Sequence, residues 1–102
     1  MQIDEATLYR YIGRQLKQQR QRRNWTQQQL ADAMDMLRTS IANIETGRQK
    51  TPLHILYRLC LVLNLEVSVL LPRVAEVTRV EVDHSQSQAP LATEFLKQLL
   101  DE

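Results

Sequence analysis

At 102 residues the chain has room for one small domain and an appendage around a core of modest size. A single cysteine, Cys60, excludes an internal disulfide, and no apolar run approaches the length that spans a bilayer. The net charge of +1 conceals an asymmetry: residues 1–73 hold 11 Lys/Arg against 6 Asp/Glu (+5), residues 74–102 hold 2 against 6 (−4). The start M-Q-I-D-E has neither a basic nor an apolar leader region. No secretory signal is expected, and a cytoplasmic protein is the default reading.

In chain order, the first predicted helix runs from about Thr7 to Arg23, with Leu8, Ile12 and Leu16 recurring every four residues as its buried stripe. Gly13 is a weak helix former, but its small size lets another helix approach closely. The basic run Lys17–Arg23 reads as a solvated helix face, except that Arg20 continues the apolar stripe and points inward. Asn24-Trp25 closes this helix, Trp25 reading as core. Thr26 is a good N-cap for a second helix whose Leu30, Ala31 and Met34 share one side, while Gln28 and Gln29 read as plain surface.

Asp35-Met36-Leu37 is too short to be anything but a turn. In the third helix Ile41 and Ile44 face inward, and Arg38, Thr39, Ser40 and Asn43 lie opposite. These are short or forked hydrogen-bonding side chains of the kind that read base edges in a DNA major groove. Gly47 supplies the left-handed stop. The loop Arg48-Gln49-Lys50-Thr51 carries two cations and no apolar residue, which makes Arg48 and Lys50 the natural phosphate clamp.

Pro52, capped by Thr51, is expected to open a fourth helix over Leu53–Leu63. Leu56, Leu59, Cys60 and Leu63 share its inner face, so the Cys60 thiol reads as buried and inert. Leu53, Leu61 and Val62 are left over. A short fifth helix is expected over Val67–Leu71, stopped by Pro72. The surplus apolar surface beside these two helices reads as an oligomer interface, the alternative being that the tail covers it.

The stretch Thr26–Gly47 is thus a helix, a tight turn and a second helix. Together with T-Q-x-x-L-A at Thr26–Ala31, I-x-x-I-E-x-G at Ile41–Gly47 and R-Q-K-T-P at Arg48–Pro52, it resembles the Cro/C1 (Xre-type) phage-repressor family over about Ile12 to Leu71. The resemblance implies a mainly α chain: a five-helix lambda-repressor-like DNA-binding domain over residues 1–73 and a short C-terminal extension over 74–102. It implies base reading by Arg38, Thr39, Ser40 and Asn43, Ser40 taking either a base or a phosphate. It also implies phosphate binding by Gln27, which supports the recognition helix as well, and a buried ion pair between Arg20 and Glu45. The turn departs from the family pattern: Asp35 stands where Gly is usual, and Leu37 stands where a capping Ser or Thr is usual.

The tail lies outside the resemblance. V-T-R-V-E-V-D partly alternates and favours a strand, Ser85–Pro90 is a polar linker, and Leu91, Phe95 and Leu99 give an amphipathic helix. Both pieces either fold back on their own domain or build a homodimer, the reading preferred here, through Leu53, Leu61, Val62, Val80, Val82 and Phe95.

No catalytic constellation, cofactor motif or metal-ligand spacing is visible, and no membrane partner is expected. The sequence therefore reads as a dimeric repressor on a palindromic duplex-DNA operator, blocking polymerase at a promoter, with its own as the expected one. The alternative is an antitoxin or interaction protein whose tail engages a toxin, a protease or another protein.

Overall fold

A computed structural model describes residues 1–80 and 99–100. Four α-helices form the described body: α1 (Glu5–Arg22), α2 (Gln27–Met34), α3 (Arg38–Glu45) and α4 (Leu53–Leu63). α1 starts two residues earlier than its apolar stripe requires, because the Asp4 carboxylate caps it by accepting the Thr7 N–H at 3.2 Å. That hydrogen bond holds the Asp4 pKa below the usual carboxylate value of 3.8. The cap is therefore complete above that value and is lost as pH falls through the lowered one.

Each junction uses a residue that tolerates the left-handed region. Asn24 follows α1 with φ 56°, Asp35 ends α2 with φ 54° and Asn64 ends α4 with φ 54°. Gly47 follows α3 with φ 78°, and a Cβ there would stand 2.9 Å from the Arg10 Cα, so the close approach of α1 independently requires glycine. α2 opens on a full capping box, Thr26 Oγ1 accepting the Gln29 N–H and the Gln29 side chain accepting the Thr26 N–H. Gln29 is therefore a structural cap and not plain surface.

Twelve side chains make the core: Ile12 and Leu16 from α1, Leu30, Ala31 and Met34 from α2, Ile41 and Ile44 from α3, four from α4, and Leu70 beyond it. Trp25 packs against this cluster half-buried. Cys60 is buried, and burial pushes its thiol pKa up, which suits an inert packing role.

Three expectations need correction. The fifth helix is a single 3₁₀ turn at Val67–Val69, because two β-branched residues and the Leu71-Pro72 pair disfavour a continued α conformation. Leu70 still delivers its side chain to the core. Pro52 stands at the N-cap of α4 and not inside it, and Thr51 is buried without capping. Of the expected tail strand over residues 77–83, Val77 belongs to a 3₁₀ turn at Val74–Val77, Thr78–Arg79 form a strand (β2), and positions 81–83 lie outside the described residues. β2 pairs antiparallel with Gln2–Ile3 (β1) of its own chain, Gln2 opposite Arg79 and Ile3 opposite Thr78. The Asp4 N–H donates to the Val77 carbonyl at 2.7 Å and Val77 is buried, so the start of the extension is built into the domain. Val80 is half-buried just past this ladder; Val82, Phe95 and most of the expected amphipathic helix lie outside the described residues.

Gly13 marks the closest approach of α1 to α3. A Cβ there would overlap the carbonyl oxygens of Ile44 and Glu45. Alanine would gain up to about 1 kcal/mol of helix propensity. Overpacking against backbone costs about 1–3 kcal/mol and here has no flexible side chain to displace. Gly13→Ala is expected to destabilise the fold by up to about 2 kcal/mol net in urea unfolding, an inversion of the usual effect of that substitution in a helix.

Candidate nucleic-acid interface

α3 has eight residues, too short to hold its shape alone in water. Its N-cap, Leu37, makes no side-chain capping bond, so its first turn is not secured by a local side-chain cap. What fixes it is tertiary. Ile41 and Ile44 are fully buried, and the last residue of the helix, Glu45, is buried against α1.

Arg20 and Glu45 form the central contact. The Arg20 guanidinium donates through Nε to Glu45 Oε2 at 2.7 Å and through Nη2 to Oε1 at 2.9 Å, a bidentate pair. Its Nη1 donates to the Trp25 carbonyl at 2.8 Å, which ties in the α1–α2 junction. The Glu45 hydrogen bond raises the Arg20 pKa further, so the guanidinium stays charged despite burial.

Gln27 extends this contact outward. Its Nε2 donates to Glu45 Oε1 at 3.1 Å, and its Oε1 accepts from Arg38 Nη1 at 3.3 Å. A chain of hydrogen bonds thus runs from Arg20 in α1, through Glu45 at the end of α3 and Gln27 at the start of α2, to Arg38 at the start of α3. Both ends of the Gln27 amide are engaged inside the protein, which makes it a support for Arg38.

The structure brings the four candidate base readers onto one exposed edge: Arg38 and Thr39 exposed, Ser40 and Asn43 half-buried. The backbone carbonyl of Asn43 accepts from the Gln49 N–H at 3.1 Å, which folds the following loop back on α3. Arg48 on that loop is exposed. Lys50 is not unpartnered: its Nζ lies 2.7 Å from Glu5 Oε2, with both side chains about two-thirds exposed. The pairing raises the Lys50 pKa, so its contribution is present below the usual lysine value and lost as pH rises through the raised one. At such exposure the pair adds little stability. Its relevance is that Glu5 competes for the cation assigned to phosphate.

Sequence reasoning missed Arg58. Its Nη2 donates to the Met34 carbonyl at 2.6 Å, capping the end of α2 from α4. The signal was indirect: α2 has no basic residue in its last turn, so its terminal carbonyls needed a donor from elsewhere.

A short helix locked at its buried end, exposing a polar edge beside a basic loop, defines the helix-turn-helix class of DNA-binding fold. The helix-turn-helix family model matches residues 16–70, and the chain belongs to that family, of Cro/C1 type. It is 42% identical over 57 residues to the competence pilus inhibition repressor of Acinetobacter baylyi, a match covering 56% of this chain and 52% of that protein. The chain thus spans about half the length of that relative. Among solved structures it resembles the restriction-modification controller protein C.AhdI of Aeromonas hydrophila, with a TM-score of 0.58, 22% identity and coverage of 61% of this chain and 94% of that one. It also resembles hydroxypropylphosphonic acid epoxidase of S. wedmorenis, with a TM-score of 0.63, 23% identity and coverage of 67% of this chain and 36% of that one. At these identities the structural likenesses establish the fold alone. No helix among the described residues is long and apolar enough to cross a membrane.

Removing one partner of the buried pair leaves an uncompensated charge, whereas removing both does not. Arg20→Met and Glu45→Leu are each expected to cost about 3–5 kcal/mol in chemical denaturation. The double variant is expected to recover most of that loss, which a double-mutant cycle reads as a large coupling.

Proposed function

We propose that the chain is a sequence-specific DNA-binding transcriptional regulator, a repressor that acts as a homodimer on a palindromic operator at its own promoter. The observation that carries this reading is the exposed edge Arg38/Thr39/Ser40/Asn43 on a helix fixed from beneath by the Arg20–Glu45 pair. The repressor named among its relatives supports the same class.

In this reading α3 enters the major groove. Arg38 takes a guanine O6/N7 edge and Asn43 an adenine N6/N7 edge, each bidentate, with Thr39 and Ser40 completing the contact. Arg48, Lys50 and Gln27, the last through the amide hydrogen not given to Glu45, hold phosphates and set the register. Lys50 exchanges the Glu5 carboxylate for a phosphate on binding, and a duplex surrounded by condensed counterions makes that exchange strongly salt-dependent. The acidic extension keeps away from the phosphates, and the protein works in the cytoplasm.

The dimer surface is assigned to α4. Leu53, Tyr57 and Leu61 recur every four residues along it and are 69%, 56% and 80% exposed, an apolar stripe that a monomer leaves in water. Val62 lies half-buried beside it. Of the tail positions expected at the interface, Val80 is half-buried past β2, and Val82 and Phe95 lie outside the described residues. A two-fold axis there sets the two α3 helices on half-sites about one helical turn apart, about 34–36 Å.

Selection on random duplex DNA followed by affinity measurements tests the reading. Arg38→Ala is expected to relax base preference at one position per half-site, a loss of about 1–3 kcal/mol of discrimination. Lys50→Ala is expected to weaken all sequences alike and reduce the salt slope by about 1. Glu5→Gln, which frees Lys50, is expected to tighten them alike. A duplex preference unchanged by Arg38→Ala would remove that residue from the base readers.

For assembly, Leu61→Glu is expected to shift the protein to monomer in sedimentation equilibrium with the helical signal intact. Truncation after Val80 keeps the β1–β2 ladder and so separates a tail needed for dimerisation from one that serves another protein. A truncated chain that still dimerises and binds its operator would place the interface within residues 1–80.

A further inference from the structure

Leu37 is the feature of the helix-turn-helix that folding does not explain. It is the N-cap of α3, where a side-chain oxygen would satisfy a free backbone N–H, and it makes no such bond. It is also 72% exposed, so it forgoes the cap without joining the core, whereas the neighbouring Met36 packs against the core. Its backbone is nevertheless fixed: the Leu37 carbonyl accepts from the Ser40 N–H at 3.0 Å and from the Ile41 N–H at 3.3 Å. The side chain is therefore an exposed apolar group carried on a fixed backbone at the leading tip of α3, next to Arg38.

We infer that Leu37 is a specificity-determining residue that packs against the C5-methyl group of a thymine in the major groove, beside the base pair taken by Arg38. This rests on the DNA-binding reading above and adds a sequence preference to it. The N-terminal residues of a recognition helix are those that meet base edges. Base edges there present donors and acceptors, with one apolar exception, the thymine methyl. A leucine at that tip has no hydrogen bond to offer, so the methyl is the one feature of the groove it complements. Contact also covers an apolar surface that the free protein leaves in water. The proposal accounts for the exposed side chain: the apolar surface that Leu37 leaves in water is covered when the duplex is bound.

The test uses the full chain and duplexes made without methylated cytosine, so that thymine is the sole source of the methyl. After selection of a preferred duplex, each thymine is replaced in turn by uracil, which deletes that methyl and leaves the pairing edge intact. The wild type is expected to lose about five-fold in affinity at one position per half-site, an ordinary loss for one buried methyl group. Leu37→Ser is expected to bind thymine and uracil equally at that position while keeping the preference set by Arg38. Serine restores a capping oxygen, so the melting temperature of Leu37→Ser should equal or exceed the wild type, and loss of the methyl effect through unfolding is thereby excluded. Uracil tolerated at every position by the wild type would overturn the proposal, as would a Leu37→Ser variant that keeps the uracil penalty. Failure of the wild type to enrich any duplex would overturn the DNA-binding reading itself, and this proposal with it.

Discussion

The Arg20–Glu45 pair does for α3 what helix propensity and capping do not. Two charges buried together are an expensive way to stabilise a domain, because desolvation consumes much of the Coulombic gain. What the pair supplies is geometry. A bidentate guanidinium–carboxylate contact at 2.7 and 2.9 Å has one good orientation, and it joins the last residue of α3 to the last turn of α1. Because Arg20 also donates to the Trp25 carbonyl, the same side chain fixes the entry into α2. Three of the four helices thus take their relative placement from one guanidinium.

The rest of the body is arranged so that this contact can close. Gly13 lets α1 lie on the Ile44 and Glu45 carbonyls, and Gly47 lets the chain leave α3 against Arg10; a side chain at either point would hold α1 and α3 apart. The left-handed residues Asn24, Asp35 and Asn64 stop their helices abruptly, which keeps the connections short. Arg58 then closes the α2 terminus from α4. The result is a body rigid beneath α3 and bare above it. An interface that must meet a stiff duplex needs that distribution, since any looseness in α3 would be lost from base discrimination as ordering entropy.

Most of this was legible in the sequence, for reasons that separate by residue. The apolar positions of α1, α2, α3 and α4 follow helical spacing, and each inner face was read correctly because a period of 3.6 over a full helix is hard to produce by chance. Arg20 was legible as a buried cation because it continues the Leu8/Ile12/Leu16 stripe, though its partner came from family resemblance alone. Short-range chemistry was read less well. Thr51-Pro52 carries the letters of a cap and a first turn, but tertiary packing buries Thr51 instead. Val67–Leu71 has the apolar content of a helix, yet its β-branching and the following proline leave only one 3₁₀ turn. The β1–β2 ladder joins residues at opposite ends of the described chain, and no local pattern in Gln2–Ile3 announces it. Lys50 looked like a free cation because nothing in sequence brings Glu5 beside it.

The last consequence concerns how such a protein can change. On α3 the groups that secure the helix, Ile41, Ile44 and Glu45, and the groups that face outward, Arg38, Thr39, Ser40 and Asn43, share no position. Substitution on the outer edge leaves the buried pair and the core untouched, so that edge can change at little cost in stability. Arg38 is the point of contact between the two sets, because its guanidinium rests on Gln27, which rests on Glu45. A different residue at position 38 would leave the Gln27 amide oxygen without that donor, though at the surface water can replace it. Helix placement is thus insulated from the reading edge by one solvent-accessible hydrogen bond, and the same scaffold can carry many different outer edges without refolding.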